Sequence, residues 1–236
     1  MNDVLSVSGY SKSYDGRNVL DNISFVVPAG RIVGLLGPNG SGKTTIIKSV
    51  AGVMSGYTGT ILVDGGPIGV HSKNVVSYLP DKSCLSAWMR VCDAVDVFND
   101  FYSDFDKNKA NELLGRLGID LRAKVTRLSK GEYEKVQLVI VMSRAAKLYL
   151  LDEPLGGVDP ASRDVIIDTI LTNYSENSSV LLSTHLISDV ERVFDSVVIL
   201  KDRQILICDD VDAIREKYQK SVDELFREVF KCSVSC

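Results

Sequence analysis

The chain has 236 residues, of which 45% are hydrophobic and 25% charged, a balance typical of one globular domain with a buried core. Its 27 basic and 31 acidic side chains give a formal net charge of -4, which argues against a protein that coats nucleic acid with clustered Lys and Arg. No apolar run reaches the ~18 residues that span a bilayer. Residues 1–9 also lack the pattern of a secretory signal, so we expect a cytoplasmic protein without a nucleic-acid partner.

The first third of the chain alternates between strand-like and helix-like patterns, which indicates an α/β fold with a largely parallel sheet. The predicted strands are Val4–Ser8, Val19–Val27, Arg31–Leu36, Gly59–Asp64 and Asn74–Leu79. A helix is predicted over Thr44–Val50, directly after a glycine-rich loop.

The middle of the chain has helical apolar spacing and few strand signals. The predicted helices are Trp88–Phe101, Asp106–Leu117 and Gly131–Ala146. Asp106 is expected to cap the second of them and Gly118 to end it. We therefore predict an all-helical insert over about residues 81–146.

The α/β pattern then returns, with predicted strands at Leu148–Leu151, Val180–Ser183 and Val197–Leu200 and a helix over Pro160–Tyr174. Residues Val211–Phe230 predict one or two amphipathic helices. We expect a single domain over residues 1–236, with a core formed by about 1–80 and 147–215 and a helical tail over about 211–236. The cysteines lack the spacing of a zinc site, and Cys232 and Cys236 are predicted to be free thiols.

Residues Gly37–Thr44 read GPNGSGKT, a full match to the G-x-x-x-x-G-K-[ST] pattern of phosphate-binding loops. Because Gly40 and Gly42 lack a Cβ atom, the backbone can curl so that its N–H groups and the next helix N-terminus point at an anion. Lys43 is expected to reach the β- and γ-phosphates of ATP, and the Thr44 hydroxyl to bind Mg²⁺. The same nucleotide-binding set includes the neighbouring residues Gly37, Pro38, Asn39, Ser41 and Thr45.

Residues Lys147–Pro154 read KLYLLDEP, in which two carboxylates follow a buried strand. Open α/β sheets bind their ligands at the C-terminal ends of such strands. Asp152 is therefore predicted to hold Mg²⁺, and Glu153 to act as general base for the attacking water.

These motifs and their order resemble those of ATP-binding-cassette ATPases over about residues 3–215. Tyr14, in YSKSYDG, matches the aromatic residue that stacks on adenine in that family. Leu128–Glu132, LSKGE, occupies the family's signature position, before the strand that leads to Asp152 and Glu153. Asp159, in GGVDP, matches the acid of the D-loop, and His185, in LLSTHL, matches the switch histidine that senses the γ-phosphate.

The resemblance implies a P-loop NTPase fold, with a RecA-like core, an N-terminal antiparallel β subdomain and an inserted helical subdomain. It implies an ATP-hydrolysing transporter subunit that binds ATP and Mg²⁺ and lies on the cytoplasmic face of the cell membrane. Its partners would be integral membrane permease subunits and a second cassette, identical or different. Ser129 and Gly131 of one cassette would then contact the γ-phosphate held by Gly37–Thr44 of the other. The short length and the YLPD sequence favour export by analogy.

Three positions depart from the family pattern. Lys130 replaces a glycine of the usual LSGGQ signature, where it either adds a cation near the γ-phosphate or is simply solvated, and Glu132 replaces the glutamine. Asp81 stands where relatives often have glutamine. It either engages Mg²⁺ or water, or caps the next helix.

Other interpretations also stay open at this point. The apolar residues Trp88, Met89, Phe98 and Phe101 either line a groove for the membrane partner or, as we favour from their helical spacing, belong to the core. A soluble cassette ATPase of translation or DNA repair is one alternative function. A regulatory module that holds nucleotide without turnover is another.

Overall fold

The structure, a computed structural model, describes residues 3–82, 85–174 and 177–231, so Cys232 and Cys236 lie outside the described residues. Its strands are β1 (Asp3–Tyr14), β2 (Arg17–Pro28), β3 (Ile32–Leu36), β4 (Thr58–Val63), β5 (Gly66–Pro67), β6 (Val76–Leu79), β7 (Leu148–Asp152), β8 (Ser179–Thr184), β9 (Ser196–Lys201) and β10 (Gln204–Asp210). Its helices are α1 (Lys43–Val50), α2 (Val70–Val75), α3 (Val91–Phe101), α4 (Lys107–Arg116), α5 (Lys130–Met142), α6 (Pro160–Asn173), α7 (Ile187–Val190), α8 (Val211–Tyr218) and α9 (Val222–Lys231). Among the described residues, no helix combines the length and apolar character needed to cross a membrane.

The strands form an antiparallel sheet of order β2-β1-β4-β5 and a larger sheet of order β10-β9-β3-β8-β7-β6. The larger sheet is parallel except at its edge, where β10 runs antiparallel to β9. Every residue of β3 and β7 is buried, as expected for central strands of a parallel sheet covered on both faces. The predicted α/β P-loop NTPase fold, with its mainly parallel sheet, is confirmed.

The sheet register brings three loops to one edge. Leu36 at the end of β3 lies opposite Thr184 at the end of β8, and Asp152 at the end of β7 lies opposite Ser183. The phosphate-loop sequence follows β3, Glu153 follows β7 and His185 follows β8. Because parallel strands end at the same edge, all three motifs meet there.

Three hydrophobic clusters hold these elements together. Neighbouring residues of β7 alternate between two of the clusters, with Leu148 and Leu150 in one and Tyr149 and Leu151 in the other, so these clusters lie on opposite faces of the larger sheet. The third cluster consists of residues between positions 85 and 140. Helix α5 contributes to this cluster and to one face of the sheet, so it packs the helical segment against the core.

Arg144 adds a polar link between the helical segment and the sheet. The buried guanidinium is bidentate to Asp104, with both N···O distances at 3.1 Å, and donates to the carbonyls of Val76 (2.6 Å) and Asn74 (3.0 Å). It also lies 4.0 Å from the ring centroid of Tyr102. Removing one partner of such a buried, fully bonded charge is expensive, so this link fixes the start of β6 against the helical segment.

Several predicted elements differ from the structure. Asn74 belongs to α2, and the strand predicted from it begins only at Val76. Helix α3 begins at Val91 rather than Trp88, and Arg90 is its N-cap residue. Strand β10 was not predicted, because its exposed face and acidic end weaken the apolar alternation that marks a strand.

The favoured core interpretation is wrong for Trp88 and Phe101, which are 70% and 80% exposed. Trp88 lies before α3, and Phe101 is the last residue of that helix. Met89 and Phe98 do pack against the third cluster, although they are only partly buried. Helical spacing indicates which residues share a face, but it does not reveal whether another element covers the end of the helix.

Candidate nucleotide-binding site

The loop between β3 and α1 has a backbone that only glycine fits at two points. A Cβ atom on Gly37 would lie 2.5 Å from Ser41 Oγ and 3.1 Å from the carbonyl oxygen of Leu200. Gly42 has φ 102°, and a Cβ atom there would lie 2.8 Å from the side chain of Leu20. The loop therefore keeps its backbone close to its neighbours and directs the N-terminus of α1 into the adjoining cavity, as an anion site requires.

Lys43 folds back over this loop. Its side chain is 5% exposed, and its Nζ donates to the carbonyls of Gly37 (2.8 Å) and Pro38 (3.3 Å). Nζ also lies 3.1 Å from Oε1 of Glu153, in an ion pair without hydrogen-bond geometry. A phosphate that binds in the loop would therefore meet an ammonium group already held in place.

Asp152 is 1% exposed, and only one of its two oxygens is paired. Oδ1 accepts hydrogen bonds from Thr44 Oγ1 (3.0 Å) and Ser183 Oγ (2.7 Å). In the described part of the chain, Oδ2 has no hydrogen-bond partner. Burial is the largest cause that raises the pKa of this carboxyl, and the nearby carboxylates of Asp81 and Glu153 add to it.

This arrangement fits Mg²⁺. A buried carboxylate oxygen without a partner, next to a threonine hydroxyl, offers the hard oxygen ligands that this ion prefers. Within the described residues, no group of three or more His, Cys, Asp or Glu side chains forms a metal cage. Magnesium sites with one or two carboxylates and substrate phosphates do not need such a cage.

Glu153 lies between Lys43 and a histidine. Its Oε2 is 2.9 Å from Nδ1 of His185, and its backbone N–H donates to both the carbonyl (3.1 Å) and the hydroxyl (3.0 Å) of Ser183. Its φ is 52°, a left-handed conformation that is strained for a non-glycine residue and is often found at functional sites. The carboxylate is therefore oriented by charge on one side and by imidazole on the other.

These groups line a cavity of about 560 Å³. Its walls are formed by Val19, Asn39, Gly40, Gly42, Lys43, Thr44, Thr45, Asp81, Glu153, Gly156 and His185. Asp81 thus faces the cavity, and it does not cap the next described helix, which begins ten residues later with Arg90 as its cap. The capping interpretation of Asp81 is therefore wrong.

Sequence reasoning missed Ser183, which bonds to Asp152 and to the backbone of Glu153 at once. Its position at the end of an apolar strand, two residues before His185, is the signal that marks it. It also missed Val19 and Gly156 as cavity residues. Val19 belongs to no motif and reaches the cavity from strand β2, whereas Gly156 is the first residue of GGVDP, a motif in which only Asp159 was predicted to bind nucleotide.

Ser129, Gly131 and Asp159 are not among the residues that line this cavity. Ser129 caps α5 in a capping box with Glu132, whose Oε2 accepts from the Ser129 N–H (2.8 Å) and hydroxyl (2.7 Å). A glutamate serves this purpose as well as the family's glutamine, which accounts for that departure. Asp159 caps α6 through the Ser162 N–H (3.0 Å).

These two helix starts touch each other. A Cβ atom on Gly131 would lie 3.0 Å from Ser162 Oγ and 3.4 Å from Asp159 Oδ2. The exposed side chain of Lys130 places its ammonium over Gly157 of the same chain. The signature residues and Asp159 thus form one surface, separate from the cavity.

Tyr14, near the end of β1, also lies outside the residues that line the cavity. It is 41% exposed, and its hydroxyl donates to Met54 Sδ at 2.9 Å. Val19, across the hairpin from β1, is a cavity residue, so the tyrosine belongs to the strand pair that borders this wall.

The substitution Asp152→Asn is expected to stabilise the folded chain at neutral pH when magnesium is withheld. Since the pKa of Asp152 is raised, the unfolded chain loses this proton first, and stability falls as the pH rises from the ordinary aspartate pKa through the raised one. The amide removes this loss and also the negative charge near the carboxylates of Asp81 and Glu153. We expect a gain of about 1–3 kcal/mol, the scale of one buried unsatisfied group.

Urea denaturation with a chelator present, at about pH 4, near the ordinary aspartate pKa, and at about pH 8, checks this expectation. The advantage of Asp152→Asn over the wild type should be larger at the higher pH. An equal difference at both pH values, or a less stable variant, would show that burial of the charge does not limit stability.

Comparison with known proteins agrees with this geometry. A family model described as ABC transporter matches residues 20–156. The chain is 34% identical over 214 residues to the ABC transporter ATP-binding protein YtrB of Bacillus subtilis, which covers 89% of this chain and 73% of that protein. It is 30% identical to the lipopolysaccharide export system ATP-binding protein LptB of Escherichia coli, over 86% of this chain and 88% of that one. A solved ATP-binding subunit of an ABC transporter superposes with TM-score 0.86 at 29% identity, over 96% and 99% of the two chains. The resemblance first indicated by the motifs is confirmed: the chain belongs to the ABC transporter family, as an ATP-binding subunit.

Proposed function

We propose that the protein hydrolyses ATP with Mg²⁺ and that a pair of such cassettes drives transport through membrane permease subunits, in the direction of export. The observation that carries the hydrolysis is the Glu153 carboxylate, held between Lys43 and His185 in the cavity that the phosphate loop borders. A carboxylate so placed can accept a proton from water while the loop holds the triphosphate.

Different residues of the site have different roles in binding and hydrolysis. The N–H groups of residues 37–45 and the Lys43 ammonium bind the phosphates, and Tyr14 supplies an aromatic surface for the base. Magnesium, held by Thr44 and Asp152, would neutralise phosphate charge, and Asp81 on the cavity wall would engage the ion or a water. Water attacks the γ-phosphorus and loses its proton to Glu153, the bond to the ADP oxygen breaks, and phosphate and ADP leave. His185 orients Glu153 and responds to the γ-phosphate.

The surface that contains Ser129, Gly131 and Asp159 supports the pairing of two cassettes. In the described chain these residues do not line the cavity of their own subunit, and they cluster at the N-termini of α5 and α6. Free N–H groups at helix N-termini attract anions. A second cassette, identical or different, would bring this surface to the partner's γ-phosphate.

A groove between the core and the helical segment supports the proposal that a membrane subunit docks on this chain. It has a volume of about 620 Å³, and its walls include Val53, Tyr78, Phe98, Phe101, Tyr102 and Arg144. Phe101 and Val53 at this groove are 80% and 63% exposed. An apolar groove with exposed anchors at its rim suits a short amphipathic helix of another subunit.

We expect Phe101→Ala to weaken retention of a membrane subunit without changing the basal hydrolysis rate, because Phe101 is not among the residues that line the nucleotide cavity. The tagged chain is purified from detergent-solubilised membranes of its own host, and the accompanying polytopic protein is quantified. Leu206→Ala, on the exposed face of β10, is the matched control. Equal recovery with all three proteins would remove this groove as the docking site.

Export is supported by the YLPD sequence and by the LptB relative, whose name refers to lipopolysaccharide export. The direct test of the function is phosphate release by the purified protein with ATP and Mg²⁺. Release that requires Mg²⁺ supports the proposal. Binding without release would favour a regulatory module, and release stimulated by nucleic acid would favour a soluble ATPase of translation or repair.

A further inference from the structure

Lys12 of β1 is a buried cation next to Tyr14. It is 8% exposed, and its Nζ donates to the backbone carbonyls of Ser55 (2.6 Å) and Gly56 (2.9 Å). No carboxylate forms an ion pair with it in the parts of the chain that the structure describes. Burying a charge is costly unless it gains strong partners, so the position of this ammonium calls for a physical reason.

The ammonium lies over the ring of Tyr14, 5.1 Å from its centroid. A cation over an aromatic face is attracted by the ring's quadrupole, and more so when it is withdrawn from water. The hydroxyl of Tyr14 is fixed as well, because it donates to Met54 Sδ at 2.9 Å. Tyr14 is thus held at its face and at its hydroxyl.

The hydrogen bonds of Lys12 and of Tyr14 are both made to the same short segment. Met54, Ser55 and Gly56 follow α1, which the phosphate loop precedes. Lys12 therefore joins the strand that contains Tyr14 to the chain that leaves the phosphate-binding helix. Tyr14 nevertheless remains 41% exposed, so the held residue is still open to a ligand.

We propose that Lys12 is a positioning residue for the purine base: it fixes the Tyr14 ring relative to the phosphate loop, so that base and triphosphate bind together. The inference rests on the proposed function, in which Tyr14 contacts the base. It assigns Lys12 no contact with the phosphates. Loss of Lys12 should therefore weaken ligands with a base and spare those without one.

The experiment compares ATP with inorganic tripolyphosphate, each titrated by calorimetry with Mg²⁺ into the purified full chain. With Lys12→Met we expect affinity for ATP to fall about tenfold, the scale of one desolvated cation–π contact. Affinity for tripolyphosphate should stay unchanged, and hydrolysis should show a raised KM with kcat retained. Lys109→Met is the matched control, since Lys109 is another lysine with a backbone carbonyl partner, at Met142 (2.8 Å).

A double-mutant cycle separates positioning from a general structural effect. If Lys12 acts through the ring, Lys12→Met should have no further effect on ATP affinity in a Tyr14→Ala background. A persistent effect there, or an equal loss for both ligands, would overturn the proposal in favour of a structural or a long-range charge role. Unchanged ATP affinity in Lys12→Met would overturn it as well.

Retained tripolyphosphate binding shows that Lys12→Met is folded. If the Lys12→Met variant does not fold, Lys12→Arg takes its place, because it keeps the cation. Lys12→Arg should retain most of the ATP affinity. Failure of the wild type to bind ATP would instead contradict the proposed function itself, so the two failures are distinguishable.

Discussion

Glu153→Gln is expected to lower kcat for ATP hydrolysis by about 10²–10⁴-fold, the usual contribution of a positioned general base. Glutamine keeps the shape of the side chain and a hydrogen bond to His185, but its amide cannot take the proton of the attacking water. The Lys43 ammonium also loses the charge that lies 3.1 Å away. Lys43 is then freer to pair with phosphate, so ATP should bind at least as tightly as in the wild type.

Single-turnover phosphate release and size-exclusion chromatography with ATP and Mg²⁺ check this result together. We expect the variant to accumulate an ATP-bound pair of cassettes, because in the proposed cycle closure needs nucleotide and reopening needs hydrolysis. Glu112→Gln, the same chemical change at an exposed glutamate paired with Arg116, is the matched control. A Glu153→Gln rate equal to that of the wild type would show that another group prepares the water.

The cavity was predictable because its residues follow the ends of strands whose type the sequence reveals. Residues 37–44 and the pair Asp152 and Glu153 each follow an apolar run, and parallel strands place such positions at one edge. The loop motif also fixes its own backbone, because Gly37 and Gly42 have no room for a side chain. Local chemistry and topology agree here, so short motifs were sufficient to place these residues.

The remaining parts of the site depend on packing that the motifs do not encode. Ser183 reaches Asp152 only because β7 and β8 are neighbours in one register, with Asp152 opposite Ser183. Asp81 faces the cavity through the loop after β6, although its sequence also suits a helix cap. The exposure of Phe101 depends on what covers the end of α3, which periodicity cannot report.

The signature position shows the opposite case, in which the sequence departs from its family while the local structure stays regular. Glu132 forms the capping box with Ser129 that a glutamine would also form. Lys130 extends over Gly157 rather than into its own cavity. The proposed contact of this surface with a partner's phosphate therefore depends on backbone N–H groups and Ser129, which these substitutions leave in place.

Lys43→Ala is expected to weaken ATP binding on the order of 100-fold or more, since it removes the proposed charge-assisted contact to phosphate and leaves the Glu153 carboxylate without its ammonium partner. In the structure, Lys43 is the cation next to Glu153, whose side chain is only 12% exposed. Without the ammonium, the triphosphate would approach that buried negative charge with no compensation. Lys43→Ala should therefore lose ATP binding, whereas Glu153→Gln should bind ATP and lose hydrolysis.

Titration calorimetry with ATP and Mg²⁺ measures this loss directly, and Lys48→Ala in the last turn of α1 is the matched control. Lys48 lies in the last turn of α1, where a cation interacts favourably with the helix dipole, so its removal should cost at most about 1 kcal/mol of stability and leave ATP affinity unchanged. Near-wild-type affinity in Lys43→Ala would mean that the backbone N–H groups of the loop hold the phosphates alone. In that case the 3.1 Å contact between Lys43 and Glu153 would serve the fold rather than the substrate.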